Sequence, residues 1–193
     1  MTEPATNRLL EDRTIDSAQA DMRCAYYGGA TGLAVSATAW LAAAIVAVQG
    51  APLTAVLTLY GAGVLIHPVG VLFDKILGRS GDHAKNNPLG PLALESLFVM
   101  LFFMPVAYVV FQYQTNWFFP TMLIIIGARY LVFATLFGLR AYWVCGVVLA
   151  GAGYVLAINN APFWVGAWVG SGIEYLFAVI IFLQTRKELV DKS

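Results

Sequence analysis

The chain has 193 residues, of which 60% are hydrophobic and only 11% charged, and its mean hydropathy is +0.74. Soluble domains carry roughly 25% charged residues, so this deficit excludes an ordinary hydrated surface over most of the chain and points to a lipid bilayer. The formal net charge is zero and no basic stretch is interleaved with aromatics, which offers nothing to nucleic acid.

Residues 1–24 form a polar leader with five acids and three arginines before any apolar run, which is not the pattern of a secretory signal. Its apolar positions, Leu9, Leu10, Ile15 and Met22, are spaced too irregularly to require a surface helix. Six apolar stretches follow, at about 25–49, 52–73, 91–113, 117–138, 141–159 and 162–184. Each is near the ~20 residues that a bilayer core requires. In lipid a segment must satisfy its own backbone, and runs such as "AAAIVAV" and "MLIII" do not alternate as barrel strands do, so all six are read as helices. The expected fold is therefore an all-α polytopic membrane protein. A cytoplasmic leader (1–24) and tail (185–193) flank a six-helix domain (25–184).

Basic residues set the orientation. Arg8, Arg13 and Arg23 precede the first span; Lys75, Arg79 and Lys85 lie between the second and third; Arg140 lies between the fourth and fifth; Arg186, Lys187 and Lys192 follow the sixth. The other three connections, "QGA", "QTN" and "NNA", carry no charge. By the positive-inside rule both termini are cytoplasmic, as in a multi-pass protein of a bacterial inner membrane. Cys24 and Cys145 then fall toward the reducing side and are expected as free thiols.

The spans group into three helical hairpins joined at the uncharged side. The second helix of each ends alike, in "VLFDKILGR", "TLFGLR" and "IFLQTR", and His67, Arg129 and Glu174 lie 12, 11 and 12 residues before those terminal arginines. Each even-numbered span thus carries one ionisable group at a similar depth, as in transporters with internal repeats. Around Glu174 the same helical face holds Ser171, Gly170, Ala167, Gly166 and Ala178, small residues suited to pressing on another helix. The face through His67 holds Tyr60, Gly63, Gly70 and Asp74 and is likewise read as interior. Arg129 has bulky apolar neighbours instead, and a guanidinium at mid-membrane costs at least ~2.5–3.5 kcal/mol, and more without water or a partner. Glu174, at matching depth, is the first choice of counter-ion and Glu95 the second; snorkelling of Arg129 to the interface is the alternative.

These residues define a candidate binding and proton-relay site of His67, Glu95, Arg129 and Glu174, supported by Tyr60, Tyr130, Ser171 and Tyr175. One obligate cation against two carboxylates and a histidine leaves a proton to be held. Pro68 and Pro105 each free a backbone carbonyl within a span. No P-loop, GxSxG, HExxH or CxxC occurs, and no catalytic residue, metal site or cofactor is expected. The loop "DKILGRSGDHAKNNPLG" reads as a solvated charged connection.

The segments "NNPLG" (86–90), "GARYL" (127–131) and "LFGLRAYW" (136–143) resemble a bacterial family of small six-helix integral-membrane proteins of unknown function, over about Pro68 to the end of the sixth span. The resemblance implies a small helical membrane protein and supplies no reaction or ligand. The first functional reading is a small transporter or channel-like protein, proton-coupled, taking a small polar or anionic ligand and built as a homodimer. The alternatives are an intramembrane enzyme acting on a lipid or isoprenoid, disfavoured by the missing nucleophile, and an accessory or sensor protein whose charges only hold helices together.

The charge pattern makes a direct topological prediction. Cysteines introduced at Asn116 and Asn160 should react with an impermeant thiol reagent applied to intact cells, and one at Ser80 should not. Labelling at Ser80 would reverse the orientation.

Overall fold

The structure, a computed structural model, describes residues 15–190. It contains seven α-helices: α1 (Ile15–Tyr26), α2 (Ala30–Val48), α3 (Pro52–Ile76), α4 (Gly90–Tyr113), α5 (Phe118–Phe137), α6 (Arg140–Ile158) and α7 (Phe163–Val190). Among the described residues there is no strand. The helices α2 to α7 are the six expected spans, each long and apolar enough to cross a membrane. Their ends follow local chemistry. Proline sits in the first turn of α3 and of α4, where its missing N–H costs nothing. A left-handed Gly138 ends α5.

The later part of the leader, whose apolar spacing does not require a helix, forms α1 and buries Ala18, Met22 and Ala25. It is separated from α2 by Tyr27, Gly28 and Gly29, all with positive φ (50°, 65° and 84°). A right-handed helix cannot continue through three left-handed residues, so the chain turns there. Two glycines make the turn inexpensive, and Tyr27 alone carries the steric cost. Gly28 also has no room for a side chain, being packed on Leu139 and Thr185.

Helix α1 and the loop after α3 close the basic end of the bundle. Gln19 Nε2 donates to Thr135 O at 2.7 Å and Arg23 Nη1 to Phe137 O at 2.6 Å, so two otherwise orphan carbonyls at the end of α5 gain partners and its negative pole gains a cation. Asp21 accepts from Ala84 N and from Asn87 Nδ2, Asn87 also donates to Ala18 O, and Tyr26 O–H pairs with His83 Nδ1 at 2.8 Å. The loop is exposed over most of its length, as expected, and is docked on α1 through Ala84, Asn87 and His83. At the other end of the chain Arg23 also pairs with Glu188 of α7 at 3.2 Å, the one ion pair among the described residues. The first and last described helices thus meet at the same end.

Within the membrane-spanning part the closest partnerships are α5 with α6, α2 with α7, and α2 with α3; α4 lies against α5. The α6–α7 pair, expected as a hairpin, is a lesser contact, so packing is not dominated by three equal hairpins. Small residues explain why. A methyl group at Gly127 of α5 would meet Gly146 O at 2.6 Å and Ala150 N at 2.9 Å, so these two backbones touch as in other small-residue membrane contacts. Between α2 and α7, Gly170 is filled from outside by the Trp40 ring, and on the same face of α7 Gly166 lies against Phe119. The aromatic residues Phe111, Phe118, Phe119 and Phe163 form a continuous set of ring contacts toward the uncharged end.

Gly127→Ala should therefore lower thermal stability in detergent, by about 1–3 kcal/mol for an overpacked contact. Gly151→Ala, which meets nothing within 4 Å, should raise it by about 0.5–1 kcal/mol through helix propensity. Equal behaviour of the two variants would mean that α5 and α6 do not touch at Gly127.

Candidate functional site

Glu174 is the one ionisable side chain at mid-span that is wholly enclosed, with 0% of its surface exposed. Helix α7 places it on the face that also buries Ala167, Ser171 and Ala178, as the small-residue pattern requires. Tyr130 of α5 donates its hydroxyl to Glu174 Oε1 at 2.8 Å. Oε2 has no hydrogen-bond partner, and neither has Trp40 Nε1. Ser36 and Trp40 of α2 flank the same carboxyl group, with the indole close but outside hydrogen-bond geometry. Ser171, one turn earlier, donates to Ala37 O at 3.0 Å and ties α7 to α2. Three helices thus converge on a single carboxyl group.

The site assembled from sequence is only partly brought together. Glu174, Tyr130 and Ser171 are buried and adjacent. Tyr175 is exposed and pairs with Thr38 Oγ1 at 2.8 Å, on the outer side of the same α2–α7 contact. Tyr60 is half-buried and donates to Met104 O at 2.7 Å, the carbonyl just before Pro105. His67 and Glu95 are both exposed, whereas Glu174 is enclosed. For His67 the helical count was sound but the cover was not. Helix α3 is covered at Val56 and Leu59 and again at Gly70 and Asp74, while Val64, Leu65 and Pro68 beside His67 are exposed with it. Glu95 shares its face with the exposed Val99 and Phe102.

The expected Arg129–Glu174 ion pair is not formed: the two side chains do not come within 4.0 Å of each other. The reason is rotation. Consecutive residues on a helix point about 100° apart, and Tyr130 occupies the direction toward α7. Arg129 turns instead toward α4, where Nη1 donates to Met100 Sδ at 3.3 Å and the guanidinium lies 5.0 Å from the centre of the Phe133 ring. Its Nε has no partner. It does not snorkel to the basic end. Side chains tilt toward their helix N-terminus, which for α5 is the uncharged end, and Met100 is about 15 Å along α4 from Gly90. A sulfur acceptor and a ring face hold the cation in place of a carboxylate.

Two features escaped the sequence reading. Trp40 is the single large aromatic in the alanine-rich run "ATAWLAAA", and that isolation was the available signal. Asp74, noted only as the end of a helical face, is 2% exposed and accepts from Thr31 Oγ1 at 2.7 Å. It is placed there by the backbone contact of Gly70 with Gly32 one turn away.

The contacts predict which pairs are coupled. Tyr130→Phe should cost about 1–2 kcal/mol in detergent stability and be non-additive with Glu174→Ala. Arg129→Ala and Glu174→Ala should be less strongly coupled than that pair. Strong coupling of the second pair would restore the ion pair.

The three segments singled out in sequence sit at these junctions. Asn87 of "NNPLG" docks the loop on α1; Tyr130 of "GARYL" meets Glu174; Tyr142 of "LFGLRAYW" donates to Gly28 O at 2.8 Å across the basic end. Neither a curated protein nor a solved structure matches the chain. Residues 15–184, which hold all of these contacts, match the model of a family of unknown function, DUF7010, and the chain belongs to that family.

Proposed function

We propose that this integral membrane protein is a small proton-coupled carrier of a bacterial inner membrane, with both termini in the cytoplasm and Glu174 as the group that takes up and releases the proton. The observation that carries this reading is a fully enclosed carboxyl group at mid-span with one oxygen unpartnered and, among the described residues, no cation within 4.0 Å. Intramembrane acids are expensive and are typical of ion and proton pathways. A carboxyl group can shed its charge by binding a proton, whereas Arg129 cannot, so the former is suited to a cycle and the latter to a fixed role. Tyr130 contributes by orienting Oε1, and its O–H can donate to the carboxylate or stay on the acid's carbonyl oxygen in either state. The enclosure means that access requires α7 to part from α2 or α5. At Gly166 and Gly170 the rings of Phe119 and Trp40 sit in the gaps that glycine leaves, so parting α7 from α2 or α5 requires those rings to withdraw.

One observation favours an accessory protein with structural charges instead: the carboxyl group is sealed by Trp40, Tyr130 and neighbouring backbone. The two readings separate in liposomes loaded with a pH-sensitive dye. Under an imposed potential, the wild type should admit protons faster than protein-free liposomes. Glu174→Gln, which keeps a hydrogen-bonding side chain of the same shape, should fall to the protein-free rate, and the loop variant Asp82→Asn should not. Wild-type entry at the protein-free rate would return the reading to a structural role for the carboxyl group.

A further inference from the structure

A groove of about 430 Å³ runs along the outside of the α2–α7 contact and ends against α3. Its walls include Ala34 and Thr38 of α2, Tyr175, Ala178 and Phe182 of α7, and Leu77 just after α3. Eight residues separate Tyr175 from Leu183, the last groove residue on α7, so the groove is about 12 Å long at 1.5 Å per residue. That is close to the half-thickness of a ~30 Å hydrocarbon core. The Thr38–Tyr175 hydrogen bond closes the mid-membrane end.

The other end is basic. Phe182, in the groove wall, stacks on Tyr27 at 4.9 Å, and the Arg79 guanidinium lies over the opposite partner in that stack, 4.8 Å from the Tyr27 ring centre. The left-handed backbone at Tyr27 is what turns this ring toward both. Among the described residues Arg79 pairs with no carboxylate: its Nη1 reaches Cys24 Sγ at 3.8 Å, and its Nε has no partner. Arg186 and Lys187 follow Leu183 by three and four residues, hence on its face of α7, and both are exposed. Lys75 is exposed two residues before Leu77. Of the acids at this end, Asp74 is turned inward onto Thr31 and Glu188 is paired with Arg23, which leaves Asp82 of the loop against Arg79, Arg186, Lys187 and Lys75.

We infer that this groove holds one phospholipid with an anionic headgroup, drawn from the leaflet on the basic side. An acyl chain lies along the outside of the α2–α7 contact, and the phosphate sits at Arg79 with Arg186, Lys187 and Lys75 around it. Apolar length matched to one leaflet selects a lipid chain, and the uncompensated cations select the anionic headgroup. The assignment does not depend on the proton-carrier reading.

Native mass spectrometry of the full chain in detergent, titrated with phosphatidylglycerol or with phosphatidylcholine of the same chains, tests it. Wild type should prefer the anionic lipid by at least about fivefold, the effect of one basic residue near a membrane surface. Arg79→Gln should reduce that preference by about fivefold, and Ala34→Phe, which fills the groove, should weaken both lipids alike. Lys85→Gln should match the wild type, and excess inorganic phosphate should not displace the lipid. Equal binding of the two lipids, an unchanged preference in Arg79→Gln, or displacement by phosphate would overturn the assignment. Arg79 is partly exposed and in a loop, so its variant remains informative should Ala34→Phe fail to fold.

Discussion

An ionisable carboxyl group at the centre of a bilayer survives only where protein replaces lipid on every side of it, and the bundle is arranged to do that for Glu174. Helix α7 contributes a face of glycine, alanine and serine, which lets α2 and α5 approach closely. The Trp40 ring then occupies the space opened by Gly170, and Tyr130 brings a hydroxyl to the carboxyl oxygen. Larger residues on that face would hold the helices apart and admit hydrocarbon to the carboxyl group, where a lone charge costs several kcal/mol. The close contacts of α2 with α7 and of α5 with α6 are thus conditions for keeping an acid at that depth.

The basic end shows how the same bundle is fastened. Several backbone carbonyls and loop groups there have no partner within their own element, and they are met by side chains of α1: Gln19 and Arg23 for the end of α5, Asp21 for the loop before α4. Arg23 also reaches Glu188, so one arginine of α1 joins the ends of the fourth and last spans. Because α1 must lie across these ends, the chain has to turn sharply before α2, which accounts for the left-handed Tyr27–Gly29 segment. That turn also sets Tyr27 between Arg79 and Phe182, connecting the fastening of the bundle to the lipid-facing groove.

Much of this was legible from residues alone. Span positions followed from apolar length, since backbone satisfaction in lipid leaves little choice, and the interior face of α7 followed from its glycine and alanine spacing. What depth matching could not supply was rotation. Arg129 and Tyr130 are neighbours in sequence, and only the packing angle of α5 decides that the tyrosine meets Glu174 while the arginine meets Met100. His67 failed for a related reason: helical spacing identifies a shared face but not whether another helix covers that face at each level. The α1 contacts were hidden because they join side chains to backbone carbonyls, which leave no apolar periodicity to read. The hairpin grouping came from loop lengths and terminal arginines, neither of which measures contact area.

The central claim is that Glu174 exchanges a proton with water despite its enclosure. Infrared difference spectroscopy of the reconstituted protein across a pH series, in H2O and D2O, measures this most directly. The account predicts a carboxylic-acid C=O band that titrates, shifts on deuteration and is missing from Glu174→Gln. Identical spectra for wild type and Glu174→Gln would contradict it.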